Sequence, residues 1–224
     1  LCRFFSRIYL KSYVWFRIVM FKTLTKNTLA FALVVLFATA FRMGEPVPQK
    51  AEDVSPLLIG ESIPEASLMG MNNKAVNLKK FVESKPTLVV FYRGGWCPFC
   101  NRQLAGLQKI EKELLGMGYQ ILAVSPDSPE NLKKTMDKNT LSYTLVSDAS
   151  MATAKKFGIA FQAPERYRKF LTKSSGGKNT ENLLPVPAVF LLDTTGKIKF
   201  EYINPNYRER LSPELLMAAA KASK

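Results

Sequence analysis

Hydrophobic positions along the chain follow two periods, and together they predict alternating strands and helices. Residues 87–93 (TLVVFYR) and 119–125 (YQILAVS) are continuous β-branched and aromatic runs, which are typical of buried parallel strands. Between these runs, apolar residues recur every three or four positions until Gly116 and Gly118, so we expect a helix there. The apolar positions of this helix are Leu104, Leu107, Ile110, Leu114 and Leu115.

The pattern continues in the same alternation after the second strand. Residues 128–139 predict a helix that Ser128 caps and that has Pro129 in its first turn. Residues 143–148 (YTLVSD) predict a third strand, and residues 151–158 (MATAKKFG) predict a short helix. Residues 163–182 are polar and contain glycine, so we expect a loop there with one helical turn.

A hairpin and a last helix complete the pattern. Two apolar runs, 187–193 (PAVFLLD) and 197–203 (KIKFEYI), flank Thr194-Thr195-Gly196, which indicates an antiparallel pair. Residues 212–223 predict a C-terminal helix that begins at Ser212 and Pro213. This order of elements predicts an α/β fold with a central mixed sheet flanked by helices.

The charge of the chain has to be divided by region before it can be interpreted. The 224 residues carry a formal net charge of +14. Residues 1–40 hold basic residues and no acidic ones, whereas the remainder mixes both signs along its surface segments. Since no recognition module accompanies these charges, we interpret them as a solvated basic surface and expect no nucleic-acid partner.

The first forty residues have the layout of a targeting segment. From Met20 a basic start with Lys22 and Lys26 precedes the apolar residues 29–37, and Ala38-Thr39-Ala40 gives a small-x-small cleavage pattern. We therefore expect residues 1–40 to be a signal peptide or a membrane anchor, with residues 1–19 as an upstream extension.

Export follows from that interpretation. We expect a periplasmic or otherwise extracytoplasmic protein that meets the membrane only through its N-terminal segment. Initiation at Met43 would instead give a cytoplasmic protein. Residues 41–56, with three prolines and mixed charges, are expected to be a linker, and residues 57–224 a single domain.

The composition excludes several kinds of site. The chain has no histidine, which removes Ser-His-Asp and Cys-His catalysis and histidine metal ligands. Structural zinc needs four Cys or His ligands, and the three cysteines are too few. We therefore expect no metal and no cofactor. Cys2 lies in the targeting segment, which leaves Cys97 and Cys100 for the domain.

Cys97 and Cys100 form a C-x-x-C pair directly after the first strand. We expect Cys97 to begin the following helix, with Pro98 in its first turn, so that free N–H groups and the helix dipole favour its thiolate. Cys100 lies one turn further on, close enough to form a disulfide. We expect Cys97 to be the more exposed and more acidic thiol. The alternatives are two buried apolar residues or an inert structural disulfide.

Two neighbouring features support a reactive pair. The pair follows the carboxyl end of a predicted parallel strand, where α/β proteins place reactive groups, which argues against burial. Trp96 can cover one side of the sulfur pair, and Gly94 and Gly95 let the chain leave the strand sharply. In the thioredoxin fold a cis-proline after a small apolar residue lies against the active disulfide, and Val186-Pro187 is the matching pair here.

The domain resembles the thioredoxin superfamily, and within it the peroxiredoxin-like branch of the alkyl hydroperoxide reductase / thiol-specific antioxidant family. The resemblance covers the N-terminal segment from LLIGESIPEASL, the active-site segment TLVVFYRGGWCPFCNRQL, the segment YTLVSDASMATAKKFGI and the hairpin VPAVFLLDTTGKI. It implies a thioredoxin-like fold and a thiol-based antioxidant oxidoreductase.

The active-site segment departs from the family pattern Pro-x-x-x-Thr/Ser-x-x-Cys. Alignment on Phe91-Tyr92 places Cys100 at the peroxidatic position and Cys97 at the Thr/Ser position. The family proline then falls on Arg93, and the family arginine falls on Pro187. Arg93 or Arg210 would have to supply the missing positive charge.

The resemblance implies reduction of hydroperoxides through the dithiol, with a thioredoxin-type protein as reductant. Either Cys97 or Cys100 would attack the O–O bond, and the other would close the disulfide. One alternative is disulfide exchange on protein substrates outside the cytoplasm, with Cys97 attacking and Cys100 resolving. Another is a redox-inert binding module that keeps only the fold.

Overall fold

The computed structural model describes residues 46–223. The targeting segment predicted over residues 1–40 lies outside the described residues, as does Cys2. None of the helices in the described part of the chain is long and apolar enough to cross a membrane.

A seven-stranded mixed sheet forms the centre of the domain, in the order β2-β1-β5-β4-β3-β8-β9. β3 pairs in parallel with β4, and β4 with β5, while β3–β8, β8–β9, β1–β5 and β1–β2 are antiparallel. The strands are β1 (Ser67–Gly70), β2 (Ala75–Asn77), β3 (Thr87–Phe91), β4 (Gln120–Ser125), β5 (Thr144–Ser147), β8 (Ala188–Leu192) and β9 (Ile198–Ile203). β6 (Ala160–Gln162) and β7 (Leu183–Pro185) pair separately as a two-stranded sheet.

Helices cover both faces of the sheet, and β3, β4 and β8 are therefore buried on both sides. Side chains of α2, α3 and α6 join the hydrophobic cluster on one face, and those of α1 and α4 join the cluster on the other. The helices are α1 (Leu78–Ser84), α2 (Pro98–Gly116), α3 (Pro129–Asn139), α4 (Ala152–Lys156), α5 (Arg168–Ser174) and α6 (Pro213–Ala222). The predicted α/β architecture is confirmed.

Local sequence signals explain several element ends. Ser128 and Ser212 cap α3 and α6 by accepting N–H bonds from the first turns, and a proline opens each helix. Gly196, with φ of 81°, closes the hairpin between β8 and β9, where its N–H donates to Asp193 O. These four elements were all predicted from the sequence.

The segment 163–182 differs from its prediction as a loop with one helical turn. A 3₁₀ turn (Glu165–Tyr167) leads directly into α5, which is two turns long. Leu171 is fully buried against Ala163 and Leu184, and Phe170 meets the Trp96 ring, so two adjacent residues hold an otherwise polar helix on the domain. Two adjacent apolar residues leave no periodicity in the sequence, which is why the length of this helix was not predicted.

The described part of the predicted linker lies against the domain. Val47, Ala51 and Val54 pack on the core cluster that contains α1 and α4. Gln162 of β6 donates its N–H to Pro48 O at 2.8 Å. Residues 47–54 therefore run along the two-stranded sheet.

Candidate functional site

The chain turns sharply between β3 and α2, and this turn brings Cys97 to the head of the helix. Cys97 is the N-cap residue of α2, and Pro98 follows it at the first helical position. Gly94 has φ of 138°, a conformation that L side chains rarely adopt. A methyl group there would also overlap the Trp96 indole nitrogen and lie 2.9 Å from Asp127 Oδ1. The predicted position of Cys97 is thus confirmed, and Gly94 is required for it.

Hydrogen bonds hold this thiol loop, residues 94–97, on several sides. The Gly95 N–H donates to Asp127 Oδ2 at 2.7 Å, and the Asn101 side-chain amide donates to Gly95 O at 2.8 Å. The Cys97 N–H donates to Gly94 O at 3.1 Å, which closes the turn. The loop is therefore a fixed support for the sulfur rather than a free connection.

Both cysteines are buried, so the expectation from position against burial was wrong, although Cys97 is the slightly more exposed of the two, as predicted. Cys97 is 1% exposed and Cys100 is 0% exposed, and neither forms a disulfide in this structure. The reason is aromatic cover: Trp96 and Phe99 pack against the cluster that contains both cysteines, and Phe99 meets Tyr207 at a centroid distance of 5.8 Å. Trp96 thus takes its predicted place beside the pair.

The two thiols differ strongly in acidity. A hydrogen bond from the Cys100 thiol is the largest cause that lowers the pKa of Cys97, to about 6, with further lowering from Arg93 and Arg210 against the effect of burial. Burial raises the pKa of Cys100 well above its usual value. Cys97 is therefore the thiolate near neutral pH, as its place at the helix head predicts, and Cys100 keeps its proton.

Two arginines supply positive charge beside the sulfurs. Arg210 donates from Nη2 to Cys100 Sγ at 3.5 Å. Arg93 is 4% exposed, and its guanidinium carbon lies 4.1 Å from the Tyr207 ring centroid, 5.0 Å from that of Trp96 and 5.3 Å from that of Tyr167. Ring faces stabilise a cation without neutralising it, so this aromatic cage keeps the charge of Arg93 available next to Cys97.

A cavity of about 460 Å³ is lined in part by Arg93. Its wall includes Tyr167 and Tyr207 of the cage, and it carries four prolines, Pro164, Pro185, Pro187 and Pro205. A second cavity, of about 420 Å³, lies on the Gly95 side of Trp96 and is lined by Asp127, Thr135 and Phe170 among others. The second cavity therefore adjoins the thiol loop, and the first adjoins Arg93, the residue that precedes the loop.

Pro187 lies in the first of these cavities, but not in the expected conformation. The described residues contain no cis peptide bond, so the Val186–Pro187 bond is trans and the expected cis-proline is wrong. Val186 donates its N–H to Ile159 O, and Pro187 O accepts from Asn204 N–H. These bonds hold the segment extended between β7 and β8, where a trans bond suffices.

Asp127 is the main site residue that the sequence analysis missed. It lies two residues beyond β4, the parallel neighbour of β3, so its carboxylate reaches the edge of the sheet where Cys97 lies. The run ILAVSPD contained this signal, because the carboxyl ends of adjacent parallel strands meet at one edge. Tyr167 and Tyr207 were missed as well, since neither belongs to a periodic segment.

Comparisons of the sequence with known proteins point to one family. The sequence model of the AhpC/TSA family matches residues 59–201. The peroxiredoxin Bcp of Escherichia coli K12 is 32% identical over 146 residues, which are 65% of this chain and 85% of that protein. A putative peroxiredoxin bcp of Haemophilus influenzae is 34% identical over 106 residues, 47% of this chain and 68% of that protein.

Solved structures resemble the fold over most of their length. Peroxidoxin BcpB from Mycobacterium tuberculosis gives a TM-score of 0.59 at 18% identity, over 74% of this chain and 94% of that one. Reduced Prx3 from Vibrio vulnificus gives a TM-score of 0.62 at 15% identity, over 74% of this chain and 99% of that one. These likenesses confirm the predicted thioredoxin-like fold.

Proposed function

The chain belongs to the AhpC/TSA family, and on that premise we propose that it is a thiol-dependent peroxidase that reduces hydroperoxides through Cys97 and Cys100. The observation that carries the proposal is the place of Cys97 and Cys100 at the head of α2 beside Arg93 and Arg210, an arrangement that lowers the pKa of Cys97 while burial raises that of Cys100. A peroxidase needs this combination of one nucleophilic thiolate and one resolving thiol.

In the first step, the Cys97 thiolate attacks the terminal oxygen of the hydroperoxide. An S–O bond forms and the O–O bond breaks, so Cys97 becomes a sulfenic acid and the alkoxide leaves as the alcohol after taking up a proton. Arg93 and Arg210 lower the pKa of Cys97, and their positive charge also favours the negative charge that develops on the leaving oxygen.

In the second step, Cys100 closes the disulfide. It gives up its proton, its sulfur attacks the Cys97 sulfenic sulfur, and water leaves with the former peroxide oxygen. Cys97 is the N-cap of α2, Cys100 lies in its first turn, and both are buried in the same cluster, so the two residues that must join are neighbours before oxidation. A reductant dithiol of the thioredoxin type then exchanges with the disulfide and returns both cysteines to thiols.

Arg93 occupies the functional place of the arginine in the family pattern. By sequence, arginine and proline are exchanged: Arg93 stands at the family's proline, and Pro187 at its arginine. In space, Arg93 and Pro187 line the same cavity. The guanidinium therefore reaches this cavity from the end of β3 instead of from the start of β8. We assign substrate entry to this cavity, because it is lined by Arg93, one of the two cations that lower the pKa of Cys97.

Two single variants test which cysteine is the nucleophile. With Cys97 as nucleophile, Cys100→Ser consumes about one equivalent of peroxide in a stopped-flow burst and then over-oxidises, whereas Cys97→Ser consumes none. A burst from Cys97→Ser alone would overturn this assignment in favour of Cys100, the cysteine at the family's peroxidatic position. Absence of peroxide turnover by the wild-type protein with a thioredoxin-type reductant would refute the peroxidase function.

Disulfide exchange on protein substrates is not favoured, since the relatives are named peroxiredoxins. The same purified protein decides the matter. Reduction of insulin disulfides at a rate well above peroxide consumption would replace the peroxidase by the disulfide reductase.

Export is a separate proposal that rests on the sequence of residues 20–40 alone. The basic start, the apolar core and Ala38-Thr39-Ala40 support a cleaved signal peptide. N-terminal sequencing of protein from the native cell should then begin near Phe41. A soluble cytoplasmic product that retains residues 20–40 would rule the signal peptide out.

A further inference from the structure

Asp127 is a buried carboxylate to which the thiol chemistry assigns no role. It is 1% exposed and lies between the end of β4 and Ser128, the cap of α3. Its Oδ2 accepts the Gly95 N–H at 2.7 Å, while its Oδ1 is buried and has no hydrogen-bond partner among residues 46–223. A buried carboxylate with one oxygen unpaired is costly, so a specific use is to be expected.

The thiol loop lies unusually close to this carboxylate. A methyl group on Gly95 would overlap the Thr135 hydroxyl, and one on Gly94 would lie 2.9 Å from Asp127 Oδ1. Trp96 Nε1, which would overlap the same Gly94 methyl, is also buried and also lacks a partner within the described chain. The two glycines thus allow the loop to press against the start and the middle of α3.

From Gly95 the connection to the nucleophile is short and rigid. Gly95 O accepts the Asn101 amide, Asn101 N–H donates to Cys97 O at 3.0 Å, and Asn139 at the end of α3 donates to Asn101 Oδ1 at 3.1 Å. The loop is therefore tied to both ends of α3, and Asp127 provides the tie at the N-terminal end.

Other charged groups surround Asp127 without pairing with it. The 420 Å³ cavity beside it carries one acidic and three basic residues, and a buried tyrosine approaches from β3. Burial is the largest cause that raises the pKa of Asp127, to about 6, and the Gly95 N–H and the Ser174 hydroxyl oppose the rise. These neighbours are Glu130, Lys134, Lys138, Lys173 and Tyr92.

We propose that Asp127 is a positioning residue for the thiol chemistry: its carboxylate fixes the thiol loop through Gly95, and so keeps Cys97 in the helix-capping geometry in which it is a thiolate. The Gly95 N–H has no other acceptor, so loss of the carboxylate frees the loop at the residue that precedes Trp96 and Cys97. The rate measurement below rests on the proposed peroxidase function, whereas the measurement of Cys97 acidity does not.

The direction in which the pKa of Cys97 changes distinguishes a positioning role of Asp127 from a direct electrostatic effect of its charge. Removal of a nearby negative charge alone would lower the pKa of Cys97. Removal of a support that holds Cys97 at the helix head raises it, because the dipole, the Cys100 thiol and the arginines then act on a displaced sulfur. The proposal requires a rise.

The experiment compares Asp127→Ala and Asp127→Asn with Asp148→Ala and Asp148→Asn in the full chain. Asp148 is a matched control, since it is 5% exposed, its pKa is also raised by burial to about 6, and its carboxylate binds Thr153 and Ala154 N–H groups instead of the thiol loop. Iodoacetamide labelling of Cys97 against pH, mapped by mass spectrometry, gives its pKa, and stopped-flow gives the peroxide rate per folded molecule.

Asp127→Ala should raise the Cys97 pKa by about one unit or more and slow peroxide reduction on the order of 10- to 100-fold. Asp127→Asn, which keeps an oxygen for the Gly95 N–H, should recover most of this loss and stays informative if the alanine variant does not fold. The Asp148 variants should change neither quantity. An unchanged or lowered Cys97 pKa in both Asp127 variants would overturn the proposal, as would equal effects of the Asp148 variants. If the wild type consumes no peroxide, the peroxidase function fails, and the labelling result still decides the role of Asp127.

Discussion

Cys100 lies one turn into α2 from Cys97, and a hydrogen bond from its thiol is the largest cause that lowers the pKa of Cys97. The contact is asymmetric, because burial keeps Cys100 protonated over the range in which Cys97 ionises. Cys100 therefore first lowers the pKa of Cys97 and later forms the disulfide with it. The chain achieves this without a histidine.

Cys100→Ala should raise the pKa of Cys97 from about 6 towards its usual value, since the donor is lost. Cys100→Ser should keep much of the lowering, because a hydroxyl can still donate to the sulfur. In the wild-type protein the labelling rate should therefore rise through about pH 6 and level off above it. Iodoacetamide kinetics at Cys97 give the pKa of this thiol in all three proteins. Equal pKa values in the alanine and serine variants would argue against this hydrogen bond.

Arg93→Met keeps an apolar stem within the aromatic cage but removes the charge. We expect a higher Cys97 pKa and a peroxide rate lower by about tenfold or more. Arg208 is the control, because it also lies near the Tyr207 ring, at 5.8 Å, but is exposed. Stopped-flow peroxide consumption should leave Arg208→Met near the wild-type rate; equal losses in both variants would show that the cage acts only as packing.

Gly95→Ala should destabilise the domain by about 1–3 kcal/mol, because its methyl overlaps the Thr135 hydroxyl. Thr135→Ala removes that hydroxyl, so the double variant should regain part of the loss. Gly116→Ala serves as the control: a methyl there meets no atom within 4 Å, and alanine favours the helix. Urea unfolding measures the four proteins, and additive losses in the double variant would contradict the predicted overlap.

Asp148 should make folding less favourable as pH rises. Burial raises its pKa from 3.8 in the reference state to about 6, so the folded state holds the proton more tightly than the unfolded state does. The free energy of unfolding therefore falls as pH rises from about 4 to about 6, on the order of 2–3 kcal/mol for this group. Asp148→Asn should reduce the slope over that range in urea melts, and Asp127, whose pKa burial also raises to about 6, accounts for a remaining part. A slope as steep as that of the wild type would exclude Asp148 as its source.

The predictable part of the fold was the part encoded within single segments. β3 and β4 are uninterrupted apolar runs, and α3 carries its own cap at Ser128, so each could be recognised alone. β6 and β7 have three residues each and gain their stability from pairing with one another across a separation of more than twenty residues. A segment that short shows no period, so neither strand was predicted.

The candidate site likewise has a part that adjacent residues predict and a part that depends on distant contacts. The place of Cys97 at the helix head follows from a strand, two glycines and Pro98, all adjacent in sequence. The burial of Cys97 does not follow from adjacent residues, because the aromatic residues that cover it are held by contacts with distant parts of the chain. Trp96 meets Phe170 of α5 at a centroid distance of 4.9 Å, and Phe99 meets Tyr207. The cage of Arg93 likewise joins three segments that no local pattern connects.

The aromatic packing around Trp96 also makes its fluorescence a probe of the thiol loop. The chain has two tryptophans, Trp15 and Trp96, so a shortened protein that begins at Val47, where the compact unit starts, carries a single tryptophan. That indole stacks with Tyr167, faces the Arg93 cation and immediately precedes Cys97 in the chain. Any movement of the loop during the thiol–disulfide cycle would change the polarity and quenching around the indole. The emission of Trp96 can therefore follow the oxidation state of the sulfurs in real time, without a dye or a coupled assay.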